Sequence, residues 1–475
     1  MPSLIVLAVF LSLVLLFFQY VLYPTFLSPL SKIPNAHFSA PISSFWFSVQ
    51  RRGQAGTRTI YQLHKKYGPI IRLSPNEISV NTPGALRTIY KGGFEKSRWY
   101  QDLFVNYGTL NMVSMLEHKP HSLQKRMVSY VYSKSYLQDS SDLQFAANYL
   151  IFERFLPILN SVAEHNHEMD VFRFLQAVGM DFTSAYLFGL GNATNFVDNV
   201  KDRDHWLESY KTFKFQLPDV RTGGDVEELC MSLCDAANIS MCAEKEDGTL
   251  SASRPVVFTR LSQAYEQLFG SKAEAKEVRM KAIASELLDH LLAGHETSGI
   301  TVSYLMYELS RRPELQDRLR EELLTLVLPI GYPQKNTPKF YQSDNLPSPR
   351  SIDALPLLDS ILQETLRLYA AAPAQQPRLT PHIPQGTTIE GYSNIPGGVT
   401  VSANAYTLHR NPTAFPDPLV WMPERWMDAS PDCLQEMRRW FWAFGSGGRM
   451  CLGSNFAIQR MYFATVEGVQ MSRSD

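Results

Sequence analysis

Cysteine is scarce in this sequence: Cys230, Cys234, Cys242, Cys433 and Cys451 are the five among 475 residues. So few thiols, odd in number, exclude a disulfide-stapled framework and suit a reduced, cytosolic setting. Cys230 and Cys234 are spaced to share a helical face. No second cysteine pair and no histidine pair completes a zinc site with them, so they read as plain buried thiols. An excess of one charge is lacking too. With 45 basic against 46 acidic residues the formal net charge is −1, and no basic array with interleaved aromatics occurs, which sets nucleic acid aside as a partner. Internal repeats and low-complexity tracts are absent. What remains is a chain with 45% hydrophobic residues, enough for one very large core or two ordinary ones.

Charge is missing altogether from Leu4 to Leu22, where Ser12, Gln19 and Tyr20 alone interrupt the apolar run. That length suits a helix crossing a bilayer. No Lys or Arg precedes the run and no small-residue cleavage site follows, which argues against a secretory signal peptide. Beyond it, Lys32, Arg51, Arg52, Arg58, Lys65, Lys66 and Arg72 all come before the first acidic residue, Glu77. The positive side is therefore expected to face the cytosol. The expected organisation is a transmembrane anchor at 1–23, a proline-rich linker at 24–50 carrying Pro24, Pro29, Pro34 and Pro41, and one large domain at 51–475.

Within that domain a short helix ends at Lys66-Tyr67-Gly68-Pro69, and Ile70–Leu73 and Ile78–Val80, split by Ser74-Pro75-Asn76, read as a β-hairpin. Long helical stretches then dominate. Gly331–Ser351 interrupts them as a polar, proline-containing excursion. From Lys281 to Leu309, apolar residues at Ile283, Leu287, Leu291, Tyr304 and Leu305 mark a long, largely buried helix. Ala293-Gly294-His295-Glu296-Thr297 lies at its middle. Small residues there open space, and Thr297 can bend the helix by bonding its own backbone. A zinc-protease reading of His295-Glu296 fails, because the second histidine it needs would stand at Gly299.

Phe444-Gly445-Ser446-Gly447-Gly448-Arg449-Met450-Cys451-Leu452-Gly453 is the most informative stretch. Its glycines let the backbone turn tightly and approach a flat ligand, with amides aimed at a sulfur. A dinucleotide-binding loop is excluded, since Met450 stands where the third glycine belongs. A thiolate so placed can ligate haem iron and favour cleavage of an oxygen-oxygen bond. The stretch resembles the cysteine loop of the cytochrome P450 family, with Phe444, Gly447, Arg449, Cys451 and Gly453 at every fixed place. Two further motifs follow that resemblance in the expected order: Glu364-Thr365-Leu366-Arg367 in a helical stretch, and Pro423-Glu424-Arg425-Trp426. The closest likeness is to fungal microsomal members of secondary metabolism.

The resemblance implies a mainly α fold with small β-sheets, behind an N-terminal transmembrane helix. It implies a haem-thiolate monooxygenase that binds haem b through Cys451, with Phe444 and Gly453 beside it. Propionate partners are expected at Arg449, Arg378, His121 and Lys125; the family usually has Arg at the last place, and Arg126 is the neighbouring alternative. Thr297 and Glu296 are expected to relay protons for dioxygen activation. Arg367 and Arg425 are expected to meet on Glu364 as a structural cluster, where a bland reading would have only a surface ion pair. The expected partners are dioxygen, a lipophilic small molecule, and a flavoprotein reductase that passes electrons from NADPH, docking near Arg438, Arg439 and Arg460. The expected location is the endoplasmic reticulum membrane, single-pass, with the catalytic domain cytosolic. Apolar Phe94–Leu116, small Ala370–Ala374 and the segment Phe213–Ser253 are expected to bound the substrate. Only 24 residues follow Cys451 (475 − 451), so the family's C-terminal β-hairpin is expected to be absent. The alternative function is accordingly a truncated haem-binding protein without turnover.

Overall fold

A computed structural model describes residues 2–52, 56–215, 224–247, 254–270, 276–326 and 346–470. The tail after 470 and residues 327–345, which take in 331–345 of the polar excursion, lie outside the described residues, as do 216–223 and 248–253 of the Phe213–Ser253 segment. Contacts divide the chain into two units. One holds residues 1–99, 372–420 and 430–450; the other holds 100–371, 421–429 and 451–475.

The first unit begins with the apolar helix Pro2–Phe17, which continues as wider turns over Phe18–Leu27. Its apolar span, Leu4–Leu27, is 24 residues long and none of it is buried in the protein, so it can cross a roughly 30 Å hydrocarbon core. The helix runs through Pro24. A proline ring clashes with the carbonyl four residues back in an ordinary α-turn, and the wider turns here make room for it. Ser28 N–H closes the helix on the Tyr23 carbonyl at 2.8 Å.

The proline-rich stretch that follows is folded onto the sheet. Leu30, Ile33, Ala36 and Ala40 are buried, and Arg72 N–H donates to Pro34 O at 2.8 Å while its own carbonyl accepts from Ala36 N–H at 2.9 Å. Arg72 itself is fully buried. Its guanidinium donates to the carbonyls of Pro24 (2.7 Å), Pro75 (2.9 Å) and Ser74 (3.4 Å). Burial lowers its pKa to about 10, so it stays charged at neutral pH and ties the end of the apolar helix to the hairpin.

The hairpin forms where the two short apolar runs place it, as β1 (Ile70–Ser74), buried at every position, and β2 (Glu77–Val80). Strands β3 (Glu95–Lys96), β4 (Arg378–Leu379) and β7 (Thr400–Ser402) complete a five-stranded sheet in the order β1-β2-β7-β4-β3. Only β2 and β7 run parallel, with Ile78 opposite Val401. A separate two-stranded ribbon, β5 (Thr387–Ile389) and β6 (Tyr392–Ile395), lies between β4 and β7 in sequence.

The second unit is helical. At its centre, Val171–Phe188 is buried at every position from Phe174 onward. It packs against the long helix, Lys276–Ser310, at a distance that glycine sets. A Cβ at Gly294 would stand 2.4 Å from Thr183 Oγ1, one at Gly299 would stand 2.9 Å from Gln176 Cγ, and one at Gly179 would stand 3.0 Å from the His295 carbonyl. The helix Pro356–Leu368 and the cysteine helix, Ser454–Gln470, complete the layers that matter for the site.

Candidate active site

In the first unit, the loop before the cysteine is held from both ends. Trp442 N–H donates to buried His409 Nε2 at 2.7 Å, and its indole N–H donates to Ser446 Oγ at 2.9 Å. Gly445 and Gly447 take positive φ of 70° and 72°, which only glycine adopts without strain. Met450 N–H then closes a single turn on the Gly447 carbonyl at 3.1 Å. A Cβ on Gly447 would collide with the Tyr90 carbonyl at 2.3 Å. Tyr90 is the hub of this side. Its ring lies 4.7 Å from that of Trp442, the Arg378 guanidinium sits 5.0 Å from its centroid, and its hydroxyl donates to Gln376 O at 2.7 Å and accepts from Ala403 N–H at 2.9 Å. Arg378 is buried on β4, while Phe444 and Arg449 are half-buried on the loop.

In the second unit, Cys451 is exposed, yet burial is the largest influence on its thiol and pushes it up. The two observations agree when the sulfur lines an internal space deep in the protein. The Gly453 amide, bonded to the sulfur, and the Lys125 ammonium pull the thiol back down, and the Asp289 carboxylate pushes it up. Lys125 is half-buried, with its own pKa lowered by burial and raised in part by Cys451. One turn earlier on His118–Val128, His121 is buried; Arg126, the alternative to Lys125, is exposed.

Ala293 opens in the same fashion. It is exposed although Leu291 and His295 on either side are wholly buried. Thr297 stands one turn on, half-buried, its hydroxyl donating to the Ala293 carbonyl at 2.8 Å. Its neighbour Glu296 accepts from the Tyr210 hydroxyl at 2.8 Å.

These residues suit a haem. Among the described residues no group of three or more His, Cys, Asp or Glu could hold a bare metal ion. A metal at Cys451 would therefore take one sulfur from the protein and its remaining ligands from an organic ring, as haem-thiolate iron does. Beside Cys451, a Cβ on Gly453 would meet nothing within 4 Å, which leaves open space for a flat group there.

Comparison with known proteins agrees. The family model described as Cytochrome P450 matches residues 37–470. The chain belongs to the cytochrome P450 family. Among curated relatives, the cytochrome P450 monooxygenase avaI of Aspergillus versicolor is 30% identical over 411 residues, covering 83% of this chain and 92% of the relative. The monooxygenase orf2 of Aspergillus niger is 27% identical, covering 94% and 86%, and tazI of Aspergillus terreus is 27% identical, covering 91% and 85%. The chain is accordingly a haem-thiolate monooxygenase, an oxidoreductase.

The P450 places its Glu-x-x-Arg residues well inside the protein, so the surface-pair reading fails. Glu364 and Arg367 are wholly buried. The Glu364 carboxylate accepts from Arg367 at 2.7 and 2.8 Å, Arg425 at 3.0 Å, the Trp426 indole at 3.0 Å and the Met422 amide at 2.9 Å.

The expected docking patch needs correction. Arg438 and Arg439 are exposed, but Arg460 is buried. Its guanidinium donates to the carbonyls of Gly179 (2.9 Å) and Gly294 (2.6 Å) and to the hydroxyls of Thr183 and Ser298. Burial lowers its pKa to about 10. The long side chain finds carbonyl and hydroxyl acceptors where two helices meet, which a surface reading of an isolated arginine misses.

Sequence reasoning also missed Tyr90, His409, Asp289 and Tyr210. Of these, Asp289 alone sits in a recognisable spacing, and each matters through a partner distant in the chain. Asp289 was legible in principle, since it precedes Ala293 and Thr297 at four-residue steps on one helical face.

Proposed function

We propose that this P450 inserts one oxygen atom of dioxygen into a lipophilic small molecule of fungal secondary metabolism. It does so at the cytosolic face of the endoplasmic reticulum membrane, with electrons from NADPH through a flavoprotein reductase. The bound haem supplies the chemistry that activates dioxygen. Cys451 would hold its iron, with the Gly453 amide stabilising the thiolate by a hydrogen bond to the charged form. Arg378, Arg449, Lys125 and His121 would hold the propionates, and Phe444 would flank the ligand loop. The Thr297 hydroxyl, which rests on its own helix, can turn its proton inward, and the Glu296 carboxylate can replenish it.

Support for an apolar substrate comes from the Phe94–Leu116 stretch, where Tyr100 and Met112 are buried, and from the small residues of Ala370–Ala374. The unburied apolar span Leu4–Leu27 and the basic residues beyond it support the membrane and its cytosolic side. The relatives from Aspergillus support the setting.

The observation that carries the reading is Cys451 itself, exposed yet deep, beside the Gly453 amide and Lys125. The reduced, carbon-monoxide-bound absorption spectrum tests it. Wild type is expected to show the red-shifted Soret band of a thiolate-ligated haem, and Cys451→Ala to lack it. A folded, haem-supplied wild type without that band would overturn the proposal.

A further inference from the structure

The helix Val200–Phe215 turns two aromatic side chains, Trp206 and Tyr210, toward the long helix. Their rings stack at 5.3 Å and 6°. Both meet the His295 imidazole edge-on, at 4.8 Å and 87° for Trp206 and 4.9 Å and 83° for Tyr210. All three are buried. On its other side, the His295 backbone lies against Gly179, where even a methyl group would meet its carbonyl at 3.0 Å. His295 is therefore gripped between two helices. The next residue, Glu296, receives the Tyr210 hydroxyl at 2.8 Å, so a single helix holds both residues that precede Thr297.

A glutamate has three rotatable side-chain bonds, and its carboxylate has no fixed direction until something fixes it. We infer that Tyr210 is the positioning residue for the Glu296 carboxylate, and that the Trp206–Tyr210 pair ties the Val200–Phe215 helix to the proton-delivering turn of the long helix. The inference rests on the proposed role of Glu296. Tyr210 touches neither substrate nor cofactor in this account. It donates to one oxygen of the Glu296 carboxylate, Oε2, and so gives that side chain a fixed direction beside Thr297 in the chain. His295, locked by the aromatic pair, keeps the backbone under Glu296 from rotating away.

Full-length, haem-loaded wild type, Tyr210→Phe, Glu296→Gln and the double variant provide the test, with two readouts. The first is peroxide released per NADPH oxidised, with reductase and no added substrate. Misplaced proton delivery diverts reduced dioxygen from water to peroxide, whereas a merely structural tyrosine leaves that partition alone. Tyr210→Phe is expected to raise the peroxide yield to the level of Glu296→Gln, and the double variant to go no further. The second readout needs no turnover: amide hydrogen exchange of peptides covering 200–215. Loss of a hydrogen bond to a charged group is expected to speed it about tenfold or more in Tyr210→Phe, and less in Glu296→Gln, whose amide oxygen still accepts from the hydroxyl. A raised peroxide yield in Glu296→Gln beside a wild-type yield in Tyr210→Phe would overturn the inference and leave the role of Glu296 standing. A wild-type yield in Glu296→Gln would remove both. Unchanged exchange over 200–215 in Tyr210→Phe would show that the hydroxyl bond to Glu296 does not hold the two helices together.

Discussion

Burial acts on single residues here in opposite directions, and the sign in each case follows from which form carries charge. It raises the Cys451 thiol and lowers His64 to about 4. His64 is neutral in the fold, hydrogen-bonded between the Gly68 carbonyl (2.8 Å) and the Ser79 hydroxyl (2.9 Å). The unfolded chain binds a proton near pH 6.5 and the fold resists until near 4, so the stability this residue contributes is present above 6.5 and is lost as pH falls toward 4. Asp181, raised to about 6 by burial, works in the opposite sense over an overlapping window. The contribution of His64 is therefore isolated by comparing wild type with His64→Gln. Urea unfolding is expected to show the stability gap between them shrinking by about 2–3 kcal/mol from pH 7 to pH 4.5. A gap independent of pH would mean that His64 takes up its proton in the fold as readily as in the unfolded chain.

Between elements, the seam that matters joins Val171–Phe188 to the long helix. Gly179, Gly294 and Gly299 let the backbones meet, and Arg460 from the cysteine helix bonds across the join to Gly179, Thr183, Gly294 and Ser298. The helix that follows the ligand loop is thereby registered against the turn that carries Thr297. Gly294→Ala puts a methyl group onto the Thr183 side chain, an overpacking expected to cost about 1–3 kcal/mol. Thr183→Ala removes part of the obstacle along with one hydrogen bond to Arg460. The double variant should thus be less destabilised than the two single losses combined, as read by denaturant unfolding. Additivity within about 0.5 kcal/mol would show that the helices separate to absorb the methyl.

At the scale of the whole molecule, Glu364 is the clearest case of distant segments meeting on one side chain: Arg367 from its own helix, and Met422, Arg425 and Trp426 from a stretch some sixty residues on. Removing the charge leaves two buried guanidinium groups facing a neutral amide. Glu364→Gln is expected to destabilise the protein by about 3–5 kcal/mol in chemical denaturation. A loss below about 1 kcal/mol would return the pair to the surface category.

The sequence by itself determined whatever is written in neighbouring residues: the apolar N-terminal helix, the hairpin at residues 70–80, the long helix, the glycines before Cys451 and the thiol that follows them. In each, local period or backbone freedom states the outcome. It also placed Glu364, Arg367 and Arg425 together through their motifs, but not their depth. Only the tertiary structure decided that Arg460 is buried while Arg438 and Arg439 are exposed, that Tyr90 anchors the loop, that the proline-rich stretch lies along β1, and that Tyr210 reaches Glu296. The physical reason is common to all four. A charged or aromatic side chain takes its place from acceptors and faces supplied by segments far away in the chain, and hydrophobic pattern tells that a position is buried without telling against what.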